Sequence, residues 1–234
     1  MRRRPVIVAA LAATLLAAGC AGSADGDVTQ PPERTAAQRL EAARTAVAEA
    51  GTLKLVLTST DVPPTENGVT AATGSGVVSV TEPSFQGTIT GTIQGVAATV
   101  EVIAVGEDTY LKLFTPDFEP FDLSTLNAPN PATFLDPAEG IAALLPDTGS
   151  PTLGGRVRAG ADVLDQVTGT LPAQQVADLF RLGEGTGEYQ VTYGLTEGDE
   201  LRTATLVGPF FGPTDSTYTL TLSDYGTPVD ITRP

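Results

Sequence analysis

The feature that most constrains the fold is an alternation of apolar and polar residues between Gly76 and Phe114. Apolar residues or glycines occupy every second position in several short runs, and mostly polar residues stand between them. This period of two is typical of antiparallel strands with one buried and one solvent-exposed face. Turn residues separate the runs at Glu82-Pro83, Gln94-Gly95 and 106–108. The stretch therefore predicts a β-meander.

Gly87 and Gly91 lie on the predicted inner face of this meander, where a filled core would place large side chains. A glycine inside a strand often marks a bulge, a bend or the close approach of another group. Two interpretations stay open at this point. The sheet is either curved and packed on helices, or curved around a hollow.

The rest of the chain alternates between helical and strand patterns and has no repeat of fixed period. Thr35 and Gln38 predict a capping box for an amphipathic helix that ends at Gly51. Residues 117–130 predict a long ordered loop, because their aromatic side chains need a place to pack. The further predicted elements are strands at 52–60, 155–161, 163–171, 189–195, 201–207, 217–223 and 229–232, a helix from Asp136-Pro137 to Leu145, and a helix from Pro172 to Leu182 ended by Gly183.

The N-terminus has the pattern of an export signal. Three arginines precede an apolar run too short to span a bilayer, and the run ends in small residues before Cys20. This resembles the lipobox of bacterial lipoproteins, in which the thiol carries diacylglycerol, although Ala17 stands where leucine is usual. The alternative is an ordinary secretory signal that leaves Cys20 as a free thiol. We expect a signal peptide at 1–19, a lipidated and disordered tether at 20–34, and one domain at 35–234.

The charge of the chain limits its partners. Removing residues 1–19 takes away three of the 13 basic residues and none of the 28 acidic ones, so the formal net charge falls from −15 to −18. Such a surface repels nucleic acid and anionic headgroups. Membrane residence must then come from acyl chains on Cys20, and the expected location is the outer face of the cell membrane. We expect a monomer.

The composition argues against an enzyme. The chain has no histidine and only one cysteine, which excludes Ser-His-Asp and Cys-His catalysis and most zinc sites. Asp162 with Asp165, or Glu197 with Asp199, could form a carboxylate pair, but their turn-like contexts are typical of solvated surface. No glycine-rich phosphate loop is present. We therefore expect no catalytic residues, no metal and no cofactor.

Short segments in a shared order resemble the LppX/LprAFG family of actinobacterial lipoproteins. Tyr225 stands where the family often has tryptophan before the glycine. The segments that carry the resemblance are 55–58, 72–74, 87–89, 108–111, 135–141 and 225–234.

The resemblance implies an α+β fold, a strongly curved antiparallel half-barrel sheet with helices covering its concave face around an apolar cavity. It also implies a membrane-anchored carrier that takes up acyl chains of a glycolipid, phospholipid or triacylglycerol and helps transfer the lipid across the cell envelope, with an envelope transporter as a possible partner. The alternative is a cell-surface lipoprotein with a filled core that binds a protein partner. The candidate cavity residues are Leu55, Leu57, Val78, Val80, Ile89, Ile93, Val100, Val102, Leu111, Leu113, Phe134, Ile141, Leu144, Val176, Leu179, Phe180, Val191 and Tyr193.

Overall fold

The structure is a computed structural model that describes residues 33–93, 95–113 and 116–234, with only the backbone of Ile93. Residues 34–234 form one compact unit. The predicted signal peptide, the lipidation site at Cys20 and most of the predicted tether lie outside the described residues. None of the helices in the described ranges is long and apolar enough to cross a membrane.

The chain folds into strands with three helices and two short 3₁₀ segments. The helices are α1 (Ala36–Ala48), α2 (Ile141–Leu144) and α3 (Ala173–Phe180), and the 3₁₀ segments are Leu123–Leu126 and Pro131–Leu135. The strands are β1 (Thr52–Thr60), β2 (Gly68–Val77), β3 (Ser84–Ile93), β4 (Val96–Val105), β5 (Asp108–Lys112), β6 (Glu119–Pro120), β7 (Gly149–Ala159), β8 (Asp162–Pro172), β9 (Glu188–Leu195), β10 (Leu201–Gly208) and β11 (Ser216–Ser223).

All of these strands belong to a single antiparallel sheet of 11 strands, in the order β6-β5-β4-β3-β2-β1-β11-β10-β9-β8-β7. The first and last strands pair at its centre, so β1 to β6 form one meander and β7 to β11 form the other. Since β6 and β7 are the two opposite edges, residues 121–148 must cross the sheet to connect them. The sheet is curved and open, which confirms the predicted fold class.

The main core lies on the concave face, between the sheet and the elements that cover it. Helix α1 begins at the predicted capping box. The Thr35 hydroxyl oxygen accepts a hydrogen bond from the Gln38 N–H, and the side-chain carbonyl of Gln38 accepts one from the Thr35 N–H. Its buried residues Leu40, Ala43 and Val47 pack into the same cluster as the inward residues of β1 and β11. The residues of 3₁₀ segment Pro131–Leu135 and of α2 join this cluster.

Glycines in β2 and β3 allow an aromatic ring to lie flat on the sheet, which corrects one interpretation of the sequence. A Cβ atom at Gly87 would stand 2.2 Å from the Thr73 carbonyl oxygen and 2.9 Å from the Phe85 ring. Gly74, opposite Gly87 in the ladder, has the same ring nearby. Phe85 is fully buried. The space above Gly87 is therefore filled rather than hollow, and of the two glycines on β3 that were predicted to face inward, Gly91 alone borders the cavity.

Several predicted element bounds were wrong. Strand β2 is rich in threonine, alanine and glycine, so its apolar pattern is weak and the sequence did not predict its position. Val78 and Val80, which were predicted to belong to the first strand of the meander, lie after the end of β2. Asp136 does not begin a helix, because its carboxylate accepts the Ala138 N–H in a turn and α2 starts only at Ile141. Helix α3 ends at Phe180, with Arg181 as its C-cap in the left-handed conformation, rather than continuing to Leu182 with Gly183 as its stop.

The C-terminal segment after β11 is also not the predicted strand at 229–232. It returns along the sheet, where the Gly226 N–H donates to the Thr52 carbonyl. Arg233 pairs with Glu82 at 2.7 Å and with Asp108 at 2.9 Å. These exposed ion pairs attach the segment through the Arg233 side chain. The alternation of residues along a strand does not predict such a contact.

Candidate functional site

A cavity of about 490 Å³ lies between β3, β4 and β5 and the loop at 121–129 that crosses them. Helix α3 contributes Phe180 at its end, followed by Arg181 and Leu182. The lining is mostly apolar: Val69, Ile89, Val96, Ala98, Val100, Val102, Leu111, Leu113, Phe121, Leu123, Leu126, Ala128, Pro129, Phe180 and Leu182, with glycines and a few polar residues.

The floor of this cavity is a small apolar cluster separate from the main core. Val102 on β4, Leu111 on β5 and Leu123 on the crossing loop are buried and contact one another. Ile89 and Val100 pack against this cluster and remain only partly buried. The inner face of β3–β5 is therefore closed at one end and left open along the rest.

A second, smaller cavity of about 30 Å³ adjoins the first toward the main core. Ile89 and Phe180 are among the residues that line both. The deep wall of the small cavity is formed by Leu55, Leu57 and Phe134. A ligand that filled the large cavity would contact the main core through this small cavity.

Packed aromatic rings separate both cavities from the opposite half of the sheet. Phe180 meets Phe134 edge-on, with ring centroids 5.3 Å apart, and contacts Tyr218 at 5.7 Å. The Tyr218 hydroxyl donates to the Val69 carbonyl at 2.7 Å, so this buried phenol is satisfied. Burial raises the pKa of Tyr218, and it raises the pKa of Tyr193 to about 12. Both rings stay uncharged at physiological pH.

A polar groove of about 750 Å³ lies on the other side of the same crossing loop. It shares Phe121, Asn127 and Arg181 with the apolar cavity, and Asp122 and Asp178 line it as well. The apolar cavity thus borders a surface that carries carboxylates and amides.

Comparison with protein families gives a match over most of the chain. The model described as LppX_LprAFG lipoprotein matches residues 35–231. The chain belongs to this family.

Two solved structures have the fold of this LppX_LprAFG lipoprotein. LprF from Mycobacterium bovis superposes with a TM-score of 0.72 at 18% identity, covering 85% of this chain and 96% of that one. The Mycobacterium tuberculosis lipoprotein LppX gives a TM-score of 0.63 at 16% identity, covering 84% of this chain and 98% of that one. No curated protein matches the chain.

The structure divides the predicted cavity residues of this LppX_LprAFG lipoprotein into three groups. Those that line the large or the small cavity are Leu55, Leu57, Ile89, Val100, Val102, Leu111, Leu113, Phe134 and Phe180. Those that lie in the main core or against it are Val78, Ile141, Leu144, Val176, Leu179, Val191 and Tyr193. Val80 is 67% exposed after β2, and the side chain of Ile93 lies outside the described part.

The misplaced residues have a common physical reason. Periodicity shows which face of a strand or helix is apolar, but not whether another element fills the space above it. Helices α1 and α3 cover the half of the sheet that contains Val191 and Tyr193, and the core there is solid. Val96 and Ala98 also line the cavity, although they were not predicted to; they extend the alternation of Val100 and Val102 toward the start of β4.

Two of the acidic residues judged to be solvated surface are instead parts of a buried ion network. Arg39 on α1 donates to Asp199 at 2.6 Å, to Asp165 at 2.8 Å and to the Thr196 carbonyl at 2.9 Å. Arg34 also pairs with Asp199, whose side chain is 1% exposed. The network fastens the start of α1 to the start of β8 and to the turn between β9 and β10, which positions the helix over the concave face. Asp162 and Glu197 are exposed, as expected.

Proposed function

We propose that this LppX_LprAFG lipoprotein binds an acyl chain of a lipid in its apolar cavity and carries the lipid within the cell envelope. The observation that carries the proposal is the cavity itself, an unfilled space of about 490 Å³ with a mostly apolar lining. Protein interiors are otherwise close-packed, so an apolar space of this size is the first candidate for a ligand site in the domain. Membership of a lipoprotein family supports this assignment.

The size and lining of the cavity suit an acyl chain. The volume of the large cavity, about 490 Å³, lies within the range of about 300–1,000 Å³ that is usual for small-molecule sites. Each methylene moved from water into an apolar site contributes about 0.8 kcal/mol. An aliphatic lining does not distinguish a glycolipid from a phospholipid or a triacylglycerol, so the acyl chain is the recognised part.

The alternative function is a protein-binding lipoprotein with a filled core. The filled region above Gly87 agrees with that alternative, but the open region above Ile89 and Gly91 does not. The lack of histidine, together with a single cysteine assigned to lipidation, favours a carrier over an enzyme.

Native mass spectrometry of the protein from a bacterial host tests the lipid-binding proposal directly. We expect a lipid to co-purify in roughly equimolar amount and to be released by organic solvent with its esters intact. A protein that carries only its polypeptide mass, and that does not take up an added fluorescent fatty acid, would contradict the proposal.

We further propose that acyl chains on Cys20 anchor the protein to the outer face of the cell membrane. The basic, apolar and small residues that lead up to Cys20 support this processing. Cys20→Ala should move the protein from the membrane fraction to the soluble fraction while its thermal unfolding stays unchanged, because residue 20 lies far in sequence from α1. Substituted protein that still sediments with membranes would exclude lipidation as the anchor.

A further inference from the structure

The apolar lining of the cavity does not stop at its mouth but continues onto the surface. Along the inner face of β4, Val102 is fully buried, Val100 and Ala98 are half-buried, and Val96 is 66% exposed. Strand β5 shows the same gradient, since Leu111 is buried and Leu113, just after the strand, is 42% exposed. We call Val96 and Leu113 the rim.

The position of the rim sets it apart from other exposed apolar residues. Single exposed hydrophobic side chains are normal on a protein surface and need no explanation. Six large ones are exposed in the described part of the chain, and the rim residues alone among those six also line the apolar cavity. Their exposed surface is therefore continuous with the proposed acyl-binding site.

We propose that the rim inserts into the surface of a lipid bilayer, so that an acyl chain passes between the bilayer and the cavity without crossing water. This inference rests on the proposed function. An aliphatic surface that leads directly into an aliphatic cavity matches the interior of a bilayer. A protein partner would instead be expected to meet aromatic anchors and a ring of matched polar groups.

The charges at the mouth suit a phosphate-bearing but uncharged lipid surface. Arg181 lines the mouth, and no carboxylate in the described ranges pairs with its guanidinium. A guanidinium forms strong hydrogen bonds to phosphate oxygens. After removal of residues 1–19, the formal net charge of −18 repels anionic bilayers, so docking depends on apolar insertion into a zwitterionic surface.

The test uses the chain from residue 20 onward with Cys20→Ser, so that neither the apolar run of the export signal nor an acyl anchor contributes, and vesicles of phosphatidylcholine that contain a fluorescent fatty-acyl lipid. The test variant is Val96→Asp with Leu113→Asp. The control variant is Val80→Asp with Val157→Asp, whose exposures of 67% and 42% match those of the rim. Neither control position lines the cavity.

Three quantities are measured for each protein: co-sedimentation with vesicles, the rate of lipid transfer from vesicles, and binding of a water-soluble short-chain acyl probe. We expect the rim variant to lose about tenfold or more in co-sedimentation and in transfer rate, because two aliphatic side chains no longer enter the bilayer. Because Val96 and Leu113 also line the outer end of the cavity, binding of the soluble probe should weaken in the rim variant, but by less than the rate of transfer from vesicles, since that probe does not come from a bilayer.

The outcomes separate the two proposals. Equal transfer rates for the rim and control variants, or a rim variant that loses soluble-probe binding and transfer by the same factor, would overturn the membrane contact and leave lipid binding in place. A parent protein that binds no soluble probe would overturn lipid binding and the rim inference with it. A loss that is confined to the rim variant, and that is larger for vesicle-borne lipid than for the soluble probe, supports the inference.

Discussion

Asp199→Ala is expected to lower the free energy of unfolding by about 3 kcal/mol. Asp199 is the most buried member of the ion network that holds α1 on the sheet, and it pairs with both Arg39 and Arg34. Removing one partner of a buried pair costs about 3–5 kcal/mol because the other charge stays desolvated. We place the effect at the lower end, since Arg39 keeps its bonds to Asp165 and the Thr196 carbonyl.

Part of this effect comes from the backbone, and a second variant separates it. Asp199 has φ of 65°, a left-handed conformation that aspartate and asparagine tolerate better than alanine does. Asp199→Asn keeps the shape and the backbone preference but removes the charge. The stability of both variants is measured by urea unfolding and by melting temperature. A loss of about 3 kcal/mol in the free energy of unfolding corresponds to a fall of roughly 6–12 °C in melting temperature for a domain of this size.

Asp162→Ala is the matched control for this experiment. Asp162 lies at the start of β8, as Asp165 does, but its side chain is 52% exposed and lies 3.6 Å from Arg202. Exposed ion pairs contribute about 0–1 kcal/mol, so the control should unfold nearly as the parent does. Equal stability of the Asp199 and Asp162 variants would show that the network does not hold α1 in place.

The network also predicts how stability depends on acid. Hydrogen bonds from Arg39, opposed by partial burial and aided by Arg156, lower the pKa of Asp165. Because the folded-state pKa is below the unfolded value of about 3.9, this carboxylate stabilises the protein above that pH. Its contribution is lost as the pH falls through the lowered folded-state pKa. Burial would lower the pKa of Arg39, but bonds to Asp165 and Asp199 outweigh it and raise that pKa, so Arg39 stays charged.

Local patterns in the sequence predicted those parts of the fold that depend on local chemistry. The capping box at Thr35 and the strand Thr52–Thr60 are both confirmed, because a cap and a two-residue period are properties of neighbouring residues. Strand β2 was misplaced because its ladder partners, and not its own side chains, hold it in the sheet.

The site was harder to predict, because a cavity remains only where no other element packs against the apolar face of the sheet. Ile89 and Val191 have the same strand pattern, but only Ile89 faces open space. What differs is the tertiary cover: α1 and α3 over one half of the sheet, and a short crossing loop over the other. The burial of Asp199 could not be predicted from local patterns either, because its contact with Arg39 joins residues 160 positions apart in the sequence.

Ile89→Trp should leave the protein folded while lowering its affinity for an acyl probe by about tenfold or more. Ile89 lies between Gly87 and Gly91 on β3, is only partly buried, and lines both the large and the small cavity. The indole would occupy the space at which the two cavities meet. An overpacked solid core loses about 1–3 kcal/mol, whereas a side chain that enters an open cavity displaces no neighbour.

Thr88→Trp is the control, because it places the same ring one residue away on the opposite face of β3. Since the chain has no tryptophan, each variant carries one indole whose fluorescence reports its own surroundings. The emission of Trp at position 89 should lie at shorter wavelength than that at position 88, and added fatty acid should change only the former. A fall in melting temperature that matches an overpacked core would instead favour a filled interior. Unchanged probe binding in the Ile89→Trp protein would show that the acyl chain lies elsewhere, because an indole at that position cannot share the junction of the two cavities with a lipid.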